Sequence, residues 1–365
     1  MTTQGTAAGL VDWRTVERLT ALIPAGPSAS RSARASSVAV LRRSAQEAPA
    51  WVARITGLNR AAQQVAETTR VSVVDRAGLV RASSRALRGL MEQVPAPPAS
   101  EAIQLVGAAE VAGAMSLLAA RLLGQVVPAA PSGTSGHGGG ASGPARPSGE
   151  GDGEGDDVVT SGTVPARDVT TGGGWDGAAS PHLLLVAPNV LAVRRQMDLD
   201  MLDLPAWVCL HEMTHAVQLA AAPWLGPYLS DSMRMVIGAV VEAAYGGADG
   251  ARSAGGGSRQ ERGRRPRRGR AVRLAARAGR GRVLEGLMNV TDRAAVASLA
   301  AALTFLEGHA EVVLDDVHPN RMPSVHRLRA VLSRSRAADG GIGPGPGLGS
   351  LLLHRLMGLE AKEAQ

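Results

Sequence analysis

The sequence contains few of the residues that support β-rich cores or disulfide-stabilised domains. Aromatic residues make up 2% of the 365 positions, and Phe305 is the only phenylalanine. The core must therefore consist mainly of Leu, Val and Ala, which favours packed helices over a β-sandwich. The single cysteine, Cys209, excludes an intrachain disulfide and is compatible with a reducing compartment. We predict a mainly α domain (α+β with a few short strands).

Neither a secretory signal nor a clear membrane span is evident from the sequence. The N-terminal segment MTTQGTAAGLVDWR lacks the basic-then-apolar layout of a signal peptide. The most apolar long stretch, residues 105–123, is rich in Ala and Gly and is interrupted by Glu110 and Arg121. It therefore predicts a buried helix and not a membrane span. We expect a cytoplasmic protein with no membrane partner.

The positive charge of the chain is concentrated in one segment. The formal net charge is +7, yet residues 252–282 alone hold twelve Arg and one acidic residue, Glu261. Removing this local charge of +11 leaves −4 for the rest of the chain. The segment could bind polyanions through sequence-independent contacts to phosphates, but it has no interleaved aromatic residue to stack on bases. We interpret it as a solvated insertion, with nucleic-acid binding as an alternative.

Two segments have the composition of disordered insertions. Residues 127–180 are rich in Gly, Ser and Pro, and residues 247–270 are rich in Gly and Arg. Neither contains enough apolar surface to offset the entropy lost on ordering. They separate three patterned parts of one domain, at residues 1–126, 181–246 and 271–365.

Apolar periodicity predicts the main elements of these three parts. Helical spacing occurs in residues 11–23, 37–58, 100–123 and 302–317. Residues 71–80 predict a short strand followed by a turn. Residues 182–193 predict a buried strand that runs into a turn or helix.

The segment WVCLHEMTHAVQ contains an HExxH motif within an apolar helix. His211 and His215 are four residues apart, so both imidazoles can point at one metal ion from the same helix face. Glu212 lies about 100° round the helix, where it can reach a water molecule without ligating the metal. Because unpaired Glu and His side chains are costly to bury in an apolar helix, the motif predicts a zinc site.

A third ligand is expected from the downstream segment FLEGHAEVVLDD. Glu307 and Glu311 are four apart on one predicted helix face, and His309 points in nearly the opposite direction. We assign Glu307 as the third ligand and Glu311 as a residue that hydrogen-bonds a ligand histidine. His309 is the alternative ligand, because only one of the two faces can meet the metal. The 92 positions between His215 and Glu307 include a loop insertion, which adds little entropic cost.

These residues suit hydrolysis of a peptide or other amide or acyl bond. Glu212 would take a proton from the attacking water and return it to the leaving amine. The residue that stabilises the transition state stays open among Tyr228, His309, His326 and Arg329. A non-catalytic scaffold is a further alternative, although a purely structural metal site would not need Glu212.

The chain resembles the type 2 zincin-like metallopeptidases of actinobacteria, also described as hydrolases or linked to biosynthesis of a deazaflavin coenzyme. The matching segments are VDW (11–13), TGL (56–58), VVDRAGLV (73–80), LLGQ (122–125), LLLVAPN (183–189), WVCLHEMTHAVQ (207–218), APWL (222–225), FLEGHAEVVLD (305–315) and PSVHRLR (323–329). The resemblance implies a mostly helical zincin-type fold and a metal-dependent hydrolase. This sequence ends with GLEAKEAQ, at a point where members of that family continue with more helix, so a truncated C-terminal part is one expectation.

Overall fold

The computed structural model describes residues 5–127, 181–245 and 290–338. These residues contain ten α-helices and five short strands. The helices are α1 (Trp13–Thr20), α2 (Arg31–Thr56), α3 (Asn59–Thr68), α4 (Arg76–Met91), α5 (Glu101–Arg121), α6 (Ala187–Gln196), α7 (Asp203–Ala221), α8 (Leu225–Tyr245), α9 (Val290–Asp315) and α10 (Val325–Ala338). The strands are β1 (Gly5–Thr6), β2 (Arg70–Val74), β3 (Pro95–Ala96), β4 (Gly124–Val127) and β5 (His182–Val186). A mainly α domain with a few short strands is confirmed.

The described parts of the three patterned segments belong to one unit. The predicted insertions at 127–180 and 247–270 lie outside the described residues, except for Val127, which belongs to β4. The prediction that these insertions are disordered therefore stays a prediction.

The strand predicted within residues 71–80 is present as β2, but a helix follows it directly where a turn was expected. Asp75 follows the strand and caps α4, because its carboxylate accepts a hydrogen bond from the backbone N–H of Gly78 at 2.6 Å. A capped N-terminus satisfies a backbone donor that the first helical turn cannot pair. The segment is therefore a strand-to-helix junction.

A three-stranded sheet places β5 between β2 and β4. β2 is parallel to β5, and β4 is antiparallel to it, with Val126 opposite Leu183 and Gly124 opposite Leu185. The side chains of β5 from Leu183 to Val186 are buried, as expected for a central strand with both faces covered. Among the described residues β4 pairs only with β5, so it forms one edge of the sheet.

The side chain of the buried Asn189 bonds the backbone where α5 ends, just before β4. The Asn189 amide donates to the backbone carbonyls of Ala119 and Leu122, at 2.8 and 2.7 Å, and its oxygen accepts from Arg76 at 2.7 Å. Leu122 lies at the end of α5, two residues before β4. Because a buried amide without these partners would be costly, the first two bonds hold the α5–β4 junction against α6, and the third joins α4 to the same side chain.

Helix α7 is the centre of the main hydrophobic core. Its own apolar side chains are buried on almost every side of the helix, including Leu204, Trp207, Leu210, Met213 and Val217. Helices α2, α3 and α9 and strand β4 pack against it. The sequence-based prediction that this helix is buried is confirmed. Cys209 is fully buried within it, and burial raises the pKa of its thiol, as expected for an inert apolar residue.

Helix α9 runs alongside α7 in the opposite direction. At the N-terminal end of α7, the carboxylate of Asp203 accepts hydrogen bonds from the backbone N–H and hydroxyl of Ser324, which follows α9. At the C-terminal end of α7, Gln218 donates to the carbonyl of Leu306 within α9. The two contacts lie about four helical turns apart on α7 and join it to α9 and to the segment that follows α9.

Two described helices are long and apolar enough by composition to cross a membrane. They span Glu101–Arg121 and Thr291–Asp315, and 28% and 22% of their most apolar windows are buried. Both pack one side against the unit, through Ala108 and Met115 in α5 and through Ala310 and Leu314 in α9. The expectation that residues 105–123 form a buried helix therefore holds for one side of α5.

Candidate metal centre

Two histidines lie one turn apart on the same side of α7. The Nε2 atoms of His211 and His215 are 3.3 Å apart, and the two rings are perpendicular with centroids 4.8 Å apart. The side chain of His211 is 8% exposed and that of His215 is 15% exposed. The i, i+4 spacing therefore directs two imidazole nitrogens at one largely buried point.

Helix α9 brings the carboxylate of Glu307 to the same point. Its Oε2 is 3.2 Å from the Nε2 of His211, and its Oε1 is 3.5 Å from the Nε2 of His215. One ligand atom from each of the three side chains can be chosen so that all lie within 4.8 Å of one another. The three residues assigned as ligands from the sequence are therefore adjacent in space.

The separations between these atoms fit a tetrahedral metal ion. Ligand atoms about 2.0–2.2 Å from a zinc ion lie about 3.3–3.6 Å from one another when the angles are tetrahedral. The two Nε2 atoms are 3.3 Å apart, one Glu307 oxygen is 3.2 Å from His211, and the other Glu307 oxygen is 3.5 Å from His215. Two imidazoles and one carboxylate also form a donor set that zinc uses in hydrolytic sites, with the fourth position left for water. The residues thus fit the metal in both chemistry and spacing.

His215 and Glu307 shift each other's pKa values. Burial lowers the pKa of His215, but the hydrogen bond to Glu307 and the negative charge of that carboxylate outweigh it and raise the pKa to about 9. Burial raises the pKa of Glu307, and the hydrogen bonds from the two histidines more than reverse this, leaving the pKa well below its usual range. The cluster therefore has a high affinity for positive charge.

Glu212 is buried beside the cluster and contacts the edge strand. It is 4% exposed, and it accepts a hydrogen bond from the backbone N–H of Val126. A Cβ atom at Gly124 would lie 2.6 Å from the Cγ of Glu212, so only glycine allows this approach. Burial raises the pKa of Glu212, and the charges of His211 and His215 offset that effect only in part. A carboxylate with a raised pKa suits a proton-transfer role.

Gln218 joins the two helices of the site and was not singled out from the sequence. Its Oε1 is 2.9 Å from the Nδ1 of His215. Its Nε2 is 3.0 Å from the carbonyl oxygen of Leu306 and 2.8 Å from the Nδ1 of His309. The available signal was its position three residues after His215, which places it on the same helix face.

His309 and Glu311 are the two remaining site candidates on α9. His309 is half-buried, and its Nδ1 contacts Gln218. The group of three ligand candidates found in the described residues does not include it. Glu311 is half-buried one turn after Glu307. Its predicted contact with a ligand histidine, and the alternative role of His309 as a ligand, stay predictions.

The other candidates for transition-state stabilisation lie in different surroundings. Tyr228 is 38% exposed and makes an edge contact with Trp224. His326 is exposed at the start of α10. Arg329 donates to the carbonyl of Leu314 at 2.5 Å, so its guanidinium is engaged at the C-terminal end of α9. The role predicted for these residues stays a prediction, as does polyanion binding by residues 252–282, which lie outside the described residues.

A helical unit with an HExxH helix and a glutamate from a second helix defines a zincin-like class of protein. The chain belongs to the zincin-like metallopeptidase family, whose model matches residues 11–365. Among solved structures it is similar to "a putative hydrolase with a novel fold" from Chloroflexus aurantiacus, with 17% sequence identity and a TM-score of 0.49. That similarity covers 97% of this chain and 83% of the other. No curated protein matches the chain.

Proposed function

We propose that this protein is a zinc-dependent peptidase. The observation that carries the proposal is the close approach of the Nε2 atoms of His211 and His215 to each other and to the carboxylate of Glu307, with the buried carboxylate of Glu212 beside them. A structural zinc site would normally be closed by four protein ligands. Three ligands and an adjacent carboxylate match a hydrolytic site.

The residues of the chain divide the chemistry between them. His211, His215 and Glu307 would hold the ion, and a bound zinc ion supplies Lewis-acid polarisation of a water molecule. Glu212 accepts the proton of the attacking water and delivers it to the leaving nitrogen. The hydrogen bond from Val126 keeps the Glu212 carboxylate against β4 while this proton is transferred.

Glu212 occupies the outward-facing side of β4. The N–H of Val126 points to Glu212 and therefore away from the neighbouring strand β5. In an antiparallel ladder every second residue points this way, so the N–H of Gly124 shares this orientation. Membership of a metallopeptidase family supports a peptide as the substrate.

The test combines metal content with cleavage of an unbiased peptide mixture. We expect about one zinc ion per chain, and peptide cleavage that stops on chelation and returns when zinc is added back. Cleavage products are identified by mass spectrometry. Stoichiometric zinc without cleavage would support the non-catalytic scaffold instead, and a protein that retains no zinc would overturn the proposal.

Zinc binding should become tighter as the pH rises. A proton and a zinc ion compete for the Nε2 lone pair of His215, whose pKa is about 9. Below that pH binding must displace the proton, so affinity should rise roughly tenfold per pH unit between about pH 7 and 8.5. It should level off above about pH 9. Competition with a chelator of known affinity at each pH measures this, and an affinity independent of pH would contradict the assignment of His215.

Gly124→Ala should reduce hydrolysis without removing the metal. The new Cβ would lie 2.6 Å from the Cγ of Glu212, so the carboxylate must move away from Val126. A displacement of about 1 Å at a catalytic group can reduce the rate about a hundredfold. Zinc content should be unchanged because Glu212 is not a ligand. Gly113→Ala makes the same change where a Cβ meets nothing within 4 Å, and it should leave the rate unaltered.

A further inference from the structure

The hydrogen bonds of Gln218 determine which of its two amide atoms faces each neighbour. A backbone carbonyl can only accept, so the Gln218 atom 3.0 Å from the Leu306 oxygen must be the NH₂ group. The Oε1 atom is then the one that faces His215. No exchange of the amide oxygen and nitrogen satisfies these contacts equally well.

This orientation fixes the proton on His215. Because Oε1 only accepts, the Nδ1 of His215, 2.9 Å away, must carry a hydrogen and donate it. In the neutral ring the Nε2 is then unprotonated, and its lone pair points towards His211 and Glu307. This is the tautomer that a metal ion requires at Nε2.

The same orientation fixes the opposite tautomer on His309. The Nε2 of Gln218 is a donor and lies 2.8 Å from the Nδ1 of His309, so that Nδ1 must accept. The proton of the neutral His309 ring is then on its own Nε2. One amide thus makes His215 an acceptor at Nε2 and His309 a donor at Nε2.

We propose that Gln218 is the positioning residue of the site, which sets the tautomers of His215 and His309 and joins the HExxH helix to the third-ligand helix. Gln218 is 8% exposed, so water cannot readily replace it in either role. The proposal rests on the proposed metal function for the role of His215. The tautomer of His309 does not depend on a metal ion.

Two substitutions separate the acceptor and donor halves of the amide. Gln218→Met removes both, and it should weaken zinc binding about tenfold to a hundredfold, as loss of a partner of a ligand histidine does. Gln218→Glu keeps an acceptor for His215 and should hold zinc within a few-fold of the wild type. It loses the donor, so His309 should move its proton to Nδ1 and donate to the new carboxylate.

The readouts are zinc affinity by chelator competition and the ¹⁵N spectra of the histidine side chains at about pH 10, above the pKa of about 9 of His215. These spectra distinguish Nδ1–H from Nε2–H rings, and a purely structural role would not change them. Gln104→Met is the control, because the Gln104 amide donates to the carbonyl of Gly9 and contacts neither helix of the site. It should leave both readouts at the wild-type values.

The outcomes separate this proposal from the proposed function. The proposal is overturned if His309 is an Nδ1–H ring in the wild type, or if Gln218→Glu leaves it an Nε2–H ring. Unchanged zinc affinity in Gln218→Met would also overturn it. If one variant fails to fold, the other, together with the wild-type spectrum, still decides. A wild type that binds no zinc refutes the metal function, while the His309 spectrum continues to test the role of Gln218.

Discussion

His211→Ala and Glu307→Ala should each remove the zinc ion from the purified protein. Each substitution deletes one of the three side chains whose nitrogen and oxygen atoms approach one another to 3.2–3.5 Å. The remaining two ligands cannot close a tetrahedral site, so we expect affinity to fall by more than about a hundredfold, beyond the effect of losing an indirect partner. Metal content by elemental analysis after dialysis against a weak chelator measures the loss.

Matched controls distinguish ligand loss from general destabilisation. His326→Ala and Glu101→Ala make the same chemical changes at exposed positions and should retain the zinc ion. Circular dichroism checks that the ligand variants fold. If Glu307→Ala kept its zinc and His309→Ala lost it, His309 would be the third ligand and the present assignment would be wrong.

Glu212→Gln should retain zinc and lose nearly all hydrolysis. The amide has almost the same shape, and its oxygen can still accept the hydrogen bond from Val126. It cannot accept a proton from water, and general acid–base groups contribute about 10²–10⁴-fold to rate. We therefore expect the cleavage rate to fall by at least about a hundredfold at unchanged zinc content.

Zinc content and cleavage rate, taken together, identify the role of Glu212. Glu110→Gln changes an exposed glutamate on α5 and should affect neither zinc content nor rate. The stability of Glu212→Gln should equal or exceed that of the wild type, because the change removes a buried group that can ionise. A variant that loses zinc would make Glu212 a ligand or a support for one. A variant that cleaves at the wild-type rate would exclude it as the base.

Helix α7 was predictable because its signal is local. Apolar residues surround the positions of His211 and His215, and the i, i+4 spacing places both imidazoles on one face whatever packs against them. The buried strand β5 was predictable for a similar reason, since Leu183 to Val186 form a continuous apolar run. Both elements depend on short-range periodicity.

Strand β4 was not predicted, although it contacts the site. It has four residues and directly precedes a Gly, Ser and Pro-rich segment, so it shows little periodicity of its own. It exists because Val126 and its neighbours pair with β5, more than fifty positions further along the chain. Only this pairing brings the backbone of Gly124 and Val126 against Glu212. The sequence motif LLGQ does not indicate that contact.

The residue that faces the two histidines from α9 also depended on tertiary structure. Residue spacing on α9 allowed either the face of Glu307 or that of His309 to meet the histidines. The rotation of α9 against α7 places the oxygens of Glu307 3.2 and 3.5 Å from the two Nε2 atoms. His309 instead contacts Gln218, a residue whose role depends on atoms from both helices.

The sequence by itself determined the helical class, the burial of α7, and the two-histidine motif with its adjacent glutamate, because helix periodicity and residue chemistry act over a few neighbouring positions. The tertiary structure decided which carboxylate lies beside the two histidines, which strand edge lies against Glu212, and which residues of α9 contact Gln218. Those contacts join residues that are between 86 and 96 positions apart. Their geometry follows from how helices and strands pack, which no local pattern encodes.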